Sequence, residues 1–428
     1  MNALVVIVAV FLVCVFASIP IGYAIGLAVV AYCLATGSVD VGYIGSGLFA
    51  AVDSFPLMAI PFFILSGALM EGGGLSRRLV LFFDSVVGHF TGGLAIVTVV
   101  TCMFFGAISG SGPATTAAIG AIMVPTMVEK GYDKRFAMAL VAAAGCLGVI
   151  IPPSIPMVTY GVSVNASIAS MFMGGFLPGV VLGLALIVVA VYICKKNGYL
   201  GNGEKFSWGN MAKNFKNAFW ALLSPVIILG GIYTGLFTPT EAAVISVVYA
   251  LFVGLFIYKE LDFKLTYKKI GEAACTHGTV NIIVGTSTIL GRVLTLEQIP
   301  DAIATAMVSL TDNKIVMLLI INLLLLACGC LMETNSSILI LAPILYPVVA
   351  SFGVDAVQFG VIMVVNLAIG YITPPVGVNL FVACGIGKIP FAELVKNIIP
   401  FLLAALVALI VITYIPAVTM FLPSLLIK

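Results

Sequence analysis

Long apolar runs separated by short polar breaks occupy almost the whole chain. The runs near 3–18, 21–36, 56–72, 168–193, 218–237, 240–258, 274–294 and 398–425 approach or exceed the roughly 20 apolar residues a membrane-crossing helix needs. Four further apolar stretches do not read as simple spans. Two of them, about 92–128 and 315–348, are interrupted midway by a small, polar, turn-prone cluster. The clusters are Ser109-Gly110-Ser111-Gly112-Pro113 and Glu333-Thr334-Asn335-Ser336-Ser337. Both stretches read as re-entrant helical hairpins. The other two, 136–162 and 355–384, contain the double prolines Pro152-Pro153 and Pro374-Pro375. They read as broken helices, because proline cannot donate the helical hydrogen bond. Segments 76–90 and 298–312 are less apolar and precede the hairpins; they read as helices lying along the interface.

The four irregular stretches form two copies of one pattern. An offset of 222 residues places Pro125 on Pro347, Gly131 on Gly353, Asp133 on Asp355, Gly148 on Gly370 and Pro152-Pro153 on Pro374-Pro375. Paired broken helices in two halves of a membrane protein point to a transporter's binding site. The halves are residues 1–194 and 218–428, joined by a polar linker over 195–217.

Basic residues orient this pattern, because they collect on cytoplasmic loops. An external N-terminus and two re-entrant hairpins place sixteen of the nineteen inside. These are Arg77, Arg78, Lys130, Lys134, Arg135, Lys195, Lys196, Lys205, Lys213, Lys216, Lys259, Lys264, Lys268, Lys269, Lys388 and Lys396. Lys314 and Lys428 fall outside, and Arg292 falls within or beside a span. On this path 38–54 is an external segment, the C-terminus is external, and the halves have opposite orientation. The apolar N-terminal run lacks a basic n-region and reads as a retained first helix.

Composition supports the class. The 428 residues are 62% hydrophobic and 8% charged, against about 25% charged in soluble domains. The chain reads as an all-α polytopic membrane protein. Its nine scattered cysteines form no CxxC pair, and its two histidines, His89 and His277, are far apart. Neither a disulfide framework nor a transition-metal site is expected. Nothing suggests nucleic acid, and no GxxxxGK[ST] motif suggests nucleotide. An enzyme needs a nucleophile–base pair or metal cluster, which isolated acids and two histidines do not supply. Paired broken helices favour alternating access over a channel.

The candidate site lies at the irregular backbone. Such backbone survives at membrane depth only where protein buries it or it lines a cavity. Ser109, Ser111 and Thr115-Thr116 offer hard oxygen ligands; the bland alternative is small residues for close helix packing. Two prolines free carbonyls near Gly148 and Ile151, which could complete a cage; the alternative is a simple kink. Glu333 is a charge in an apolar region. It either binds a cation or caps a helix N-terminus. Asn335, Ser336 and Thr373 are second-site ligands or substrate contacts. Arg292 suits a carboxylate, which a guanidinium grips through two parallel bonds; otherwise it snorkels or pairs with a hairpin carboxylate. Thr238 to Glu241 reads as a helix cap and needs no site.

Together the stretches GAISGSGPATTAAIGAIMVPTMVEKGYDKRFA (106–137), GVIIPPSIPMVTYG (148–161), GLFTPTEAAVISVVYAL (235–251) and ITPPVGVNLFVACGI (372–386) resemble the large membrane subunit of tripartite ATP-independent periplasmic (TRAP) transporters. The resemblance covers essentially the whole chain. It implies an elevator-type fold, with a scaffold carrying a mobile domain of hairpins and broken helices. It implies sodium as the coupling ion and no other cofactor. It also implies a periplasmic substrate-binding protein, a separate small four-helix membrane subunit, and the bacterial inner membrane. Sodium ligands carried over by the resemblance fall on Ser109, Ser111, Gly148, Ile151 and Pro153, and in the second half on Glu333, Asn335, Gly370 and Thr373. Substrate contacts are expected at Arg292, Thr115 and Ser336. Sialic acid is the leading solute and a C4-dicarboxylate the next. The alternative is a stand-alone sodium-coupled anion carrier of the same design.

Overall fold

The computed structural model describes residues 3–37, 41–203 and 206–426. Lys205, Lys428 and residues 38–40 lie outside the described residues. Among those described the chain is helical, without strands. The first helices are α1 (Ala3–Phe16), α2 (Ile21–Thr36), α3 (Val41–Val52), α4 (Ala59–Gly72) and α5 (Leu75–Val87). Hairpin one is α6 (Gly93–Ser109) with α7 (Gly112–Glu129). The first broken helix is α8 (Lys134–Gly145), α9 (Leu147–Ile150) and α10 (Ile155–Ser163), bent by 42°. Then come α11 (Ile168–Asn197), α12 (Trp208–Tyr233), α13 (Pro239–Phe252), α14 (Phe263–Leu296) and α15 (Ile299–Leu310). Hairpin two is α16 (Lys314–Gly329) with α17 (Thr334–Ser351). The second broken helix is α18 (Ala356–Gly370) and α19 (Val378–Gly387), followed by α20 (Phe391–Tyr414) and α21 (Pro416–Leu426).

The repeat is structural as well as sequential. The 222-residue offset carries both ends of α7 onto those of α17, and the start of α8 onto that of α18. The same chemistry sets these ends. Asp133 accepts from the N–H groups of Arg135 and Phe136. Asp355 accepts from those of Val357 and Gln358. Each carboxylate satisfies amides that the first helical turn leaves free. The repeats also touch at equivalent positions, where Cys146 Sγ donates to the Ala368 carbonyl at 3.0 Å across 222 residues.

Several helix limits differ from the hydropathy pattern. Part of the external segment 38–54 is helical, as α3. The linker is shorter than 195–217: α11 runs on to Asn197 and α12 starts at Trp208, capped by Ser207. The expected span 274–294 is a 34-residue helix from Phe263, about 51 Å long. Asp262 caps it, accepting from Leu265 N at 2.6 Å. In α11, α12 and α14 helical backbone continues past the apolar stretch, and only the apolar stretch registers in hydropathy. The run 398–425 is two helices, with Pro416 opening the second; a proline cannot continue the first. The run 240–258 ends in a π-helical turn, Val253–Ile257. Helix α5 has 13 residues, about 20 Å, too short to cross the bilayer's hydrocarbon core.

Packing sorts the helices into two groups. One contains α2, α3 and α4 with α12, α13 and α14; the other contains both hairpins, both broken helices, α11, α20 and α21. Helix α5 packs on α12 and α6, and α15 on α14 and α17, so each touches both groups. The broken helices form the centre of the second group: α8 from Phe136 to Gly145, and α18 from Val357 to Gly370, are buried without interruption. A smaller core joins α1, α2 and α3 to the end of α14.

Candidate functional site

At the first hairpin tip, α6 ends at Ser109 and Ser111 caps α7. Ser109 Oγ lies 2.9 Å from Thr115 Oγ1, which donates to the Ser111 carbonyl at 2.8 Å. The broken helix closes on this cluster. A Cβ built on Gly148 would stand 2.5 Å from Ser111 O, so only glycine lets the backbone come so near. A Cβ on Gly110 would stand 3.1 Å from the Pro153 carbonyl oxygen. Ser109, Ser111, Thr115, Gly148 and Pro153 therefore converge. Ile151 lies in the same unwound stretch; its N–H donates to Leu147 O, and its side chain packs at Gly179 of α11. Both double prolines carry a cis peptide bond.

At the second tip, Glu333 uses both carboxylate oxygens within the protein. Its Oε2 accepts from Asn335 N at 2.8 Å and Ser336 N at 3.1 Å. Its Oε1 accepts from Asn335 Nδ2 at 2.8 Å and Tyr371 Oη at 3.3 Å. The capping role is realised, and the carboxylate shapes the tip. Asn335 Oδ1 accepts from Thr159 Oγ1 at 3.1 Å, tying the tip to α10. Thr373 Oγ1 donates back to Ile369 O at 2.9 Å. Gly370 lies directly against Gly329 of α16. Thr334 Oγ1 and Ser336 Oγ are buried without a partner among the described residues, a costly state for a hydroxyl unless a ligand engages it.

The arms are exchanged between repeats. Helix α10 packs on α17, and α19 on α7. Asn379, in α19, donates to the Ala142 carbonyl of α8 at 3.1 Å. Thr159, Tyr371 and Asn379 are partners that sequence reasoning missed. Their one signal was polarity inside apolar stretches.

Two cavities lie in the seam between the helix groups. One, of about 190 Å3, is lined by Ser109, Ser111 and Ala114 on one side and Gly67, Glu71 and Glu272 on the other. Lys269 Nζ sits 3.2 Å from both glutamates, joining α4 to α14. The other, of about 510 Å3, is lined by Ser287, Thr288, Arg292 and Thr295 of α14, Ser163 of α10, and Leu339 and Pro343 of α17. Arg292 is exposed and, among the described residues, has no carboxylate within ion-pair distance. The hairpin carboxylate Glu333 is engaged elsewhere. Ser287 Oγ is buried there without a partner. Of the expected substrate contacts, Arg292 lines this cavity, whereas Thr115 and Ser336 belong to the two tips. No group of three metal-binding His, Cys, Asp or Glu side chains occurs among the described residues.

Residues 8–418 match the family described as tripartite ATP-independent periplasmic transporter, DctM component. The chain is 49% identical to the isethionate TRAP transporter permease protein DctMQ of Oleidesulfovibrio alaskensis, over 94% of this chain and 64% of that protein. It thus spans somewhat less than two thirds of that relative. It is 44% identical to the C4-dicarboxylate TRAP transporter large permease protein DctM of Pseudomonas aeruginosa, over 88% of each. It is 38% identical to the sialic acid TRAP transporter large permease protein SiaM of Vibrio cholerae, over 96% of each. Among solved structures, the YdaH transporter of Alcanivorax borkumensis shares the fold, with a TM-score of 0.63 and 13% identity over 87% of this chain and 86% of that one.

Proposed function

Given that this chain belongs to the TRAP transporter family as its DctM component, the large permease and not an enzyme, we propose that it carries an organic acid anion inward together with sodium. The observation that carries this reading is the convergence of Ser109, Ser111, Thr115, Gly148 and Pro153 at one hairpin tip. Hydroxyl and carbonyl oxygens are ligands that hard cations prefer. The second tip supplies Glu333, Asn335, Gly370 and Thr373, with two unpartnered hydroxyls beside them. Glu333 acts there by orienting Asn335 and Ser336.

Arg292 and the neighbouring hydroxyls of the larger cavity hold the anion. The relatives' names nominate isethionate, C4-dicarboxylates and sialic acid as solutes to test. The cavities' place between two helix groups suits an elevator, in which the hairpin group moves against the other. Each sodium ion crossing a 100 mV potential releases about 2.3 kcal/mol. Two ions with a monovalent anion would carry one net positive charge inward. A periplasmic binding protein delivers the solute, and a small membrane subunit packs on the non-hairpin group. The protein sits in the bacterial inner membrane, with opposed repeats and both termini outside.

The test is uptake of radiolabelled isethionate, C4-dicarboxylate or sialic acid into proteoliposomes holding this chain and its small subunit. An inward sodium gradient is applied with and without the binding protein. Uptake that needs both supports the proposal. Sodium-driven uptake without the binding protein favours a stand-alone carrier. Uptake indifferent to sodium refutes the coupling.

A further inference from the structure

We infer that Tyr371 couples the two hairpin tips, so that a cation at one changes the affinity of the other; the inference rests on the sodium reading above. Tyr371 follows Gly370 at the break after α18 and is 3% exposed. Its hydroxyl donates to Glu333 Oε1 at 3.3 Å, the carboxylate that shapes the second tip. Its ring lies against the first tip. A Cβ built on Gly112, the first residue of α7, would stand 3.0 Å from Tyr371 Cδ2 and 3.1 Å from Cε2. One side chain therefore touches both tips.

Its backbone is held as well. The Tyr371 carbonyl accepts from Asn379 N at 3.1 Å, and Asn379 Nδ2 is anchored on Ala142 O of the first repeat. The main chain is thus fixed, and the ring and its hydroxyl move as one rigid unit. Interiors are packed too densely to absorb a shift silently. Ser111, whose carbonyl belongs to the first cage, is bonded directly to Gly112. A cation drawn to that carbonyl moves the backbone on which the ring rests. The ring moves its hydroxyl, and the hydroxyl moves the carboxylate that holds Asn335 and Ser336. Coupling of this kind is reciprocal, because it is a free energy shared by two sites.

The bridge departs from the repeat. At the 222-residue offset, the counterpart of Tyr371 is Val149 and that of Glu333 is Ser111. Valine has no hydroxyl, so the first half cannot make the corresponding bond. The halves share Pro125 with Pro347, Gly131 with Gly353, Asp133 with Asp355, Gly148 with Gly370 and the double prolines, but Gly110 falls on Met332 and Gly112 on Thr334. Two departures that bond to each other form a device specific to the second half. Tyr371 is thus a positioning residue: it touches no ion and acts through Glu333 and Gly112.

The test compares the parent with Tyr371→Phe, which removes the hydroxyl, and Gly112→Ala, which pushes the ring. Tyr414→Phe serves as a control, since its hydroxyl bonds remotely to Ile315 O. Each form is purified with the small subunit. Sodium is titrated against thermal unfolding, and against uptake in proteoliposomes. In the thermal titration, which reports binding, the parent is expected to bind sodium cooperatively and both variants to show independent sites, with the control unchanged; uptake that consumes two ions is sigmoidal in either case and serves as the check on function. Should Tyr371→Phe fail to fold, Gly112→Ala carries the comparison. Equal cooperativity in parent and variants overturns the inference, as does a non-cooperative parent. A parent with no sodium response at all brings down the sodium reading itself.

Discussion

Replacing Gly148 by alanine tests the first cage most directly. The added methyl would stand 2.5 Å from Ser111 O and 3.0 Å from Ser111 C. Non-bonded heavy atoms rest near 3.5 Å, so the hairpin tip must retreat by roughly 1 Å. The methyl would also stand 2.4 Å from Thr115 Oγ1, a side-chain atom that can rotate; the Ser111 backbone cannot. Overpacking of this kind costs about 1–3 kcal/mol. If the tip yields to relieve it, the oxygens around Ser111 leave their positions. The same energy then appears as a loss in sodium affinity of roughly 5- to 150-fold. The matching control is Gly230→Ala in α12, where an added methyl meets nothing within 4 Å. The assay is sodium half-saturation of uptake, with sodium-dependent thermal stabilisation measured in parallel. Gly148→Ala should raise the half-saturation while Gly230→Ala leaves it unchanged. A stable Gly148→Ala variant with parental sodium dependence would refute the cage.

Further outcomes follow from other parts of the site. Arg292→Lys keeps the charge but loses two-pronged recognition; solute half-saturation should rise about tenfold, a cost of about 1.4 kcal/mol, with sodium dependence intact. Equal solute affinity would remove Arg292 from the anion site. Glu333→Ala deprives four hydrogen-bond donors of their acceptor and should lower the thermal midpoint by a few degrees, as loss of a helix cap costs about 0.5–2 kcal/mol. Glu333→Gln, which still accepts at one oxygen, should fall between; no change in either would refute the capping role. With Cys275 replaced by serine, an impermeant thiol reagent should reach Leu236→Cys from the periplasm and Lys213→Cys only after permeabilisation. Labelling of both from one side would refute the outward crossing of α12.

The parts of the site legible in the sequence are those the repeat prints twice. Gly148 and Gly370, the double prolines, and the caps Asp133 and Asp355 could be found because each occurs in both halves at one offset. The backbone effects of glycine and proline act locally and could be read; the capping by Asp133 and Asp355 emerged only from their hydrogen bonds. Helix limits were less legible. Helix α14 begins at Phe263, well before its apolar stretch, and α12 at Trp208, because hydropathy detects burial in lipid while hydrogen bonding continues beyond it. The two meanings of Glu333 stayed open in the sequence, since a carboxylate beside free amides suits either role. Its four donors show the capping contacts, and its part in cation binding belongs to the proposal.

Sequence alone determined the class, the repeat and the positions of the broken backbone. Membrane solvation acts on each segment separately, so a single chain displays it. Tertiary structure decided which broken ends meet. The exchange of α10 and α19 between repeats, the bond from Thr159 to Asn335, and the seating of Tyr371 between Gly112 and Glu333 join residues far apart in the chain. Such contacts depend on how whole helices pack, and no local pattern of polarity encodes the partner.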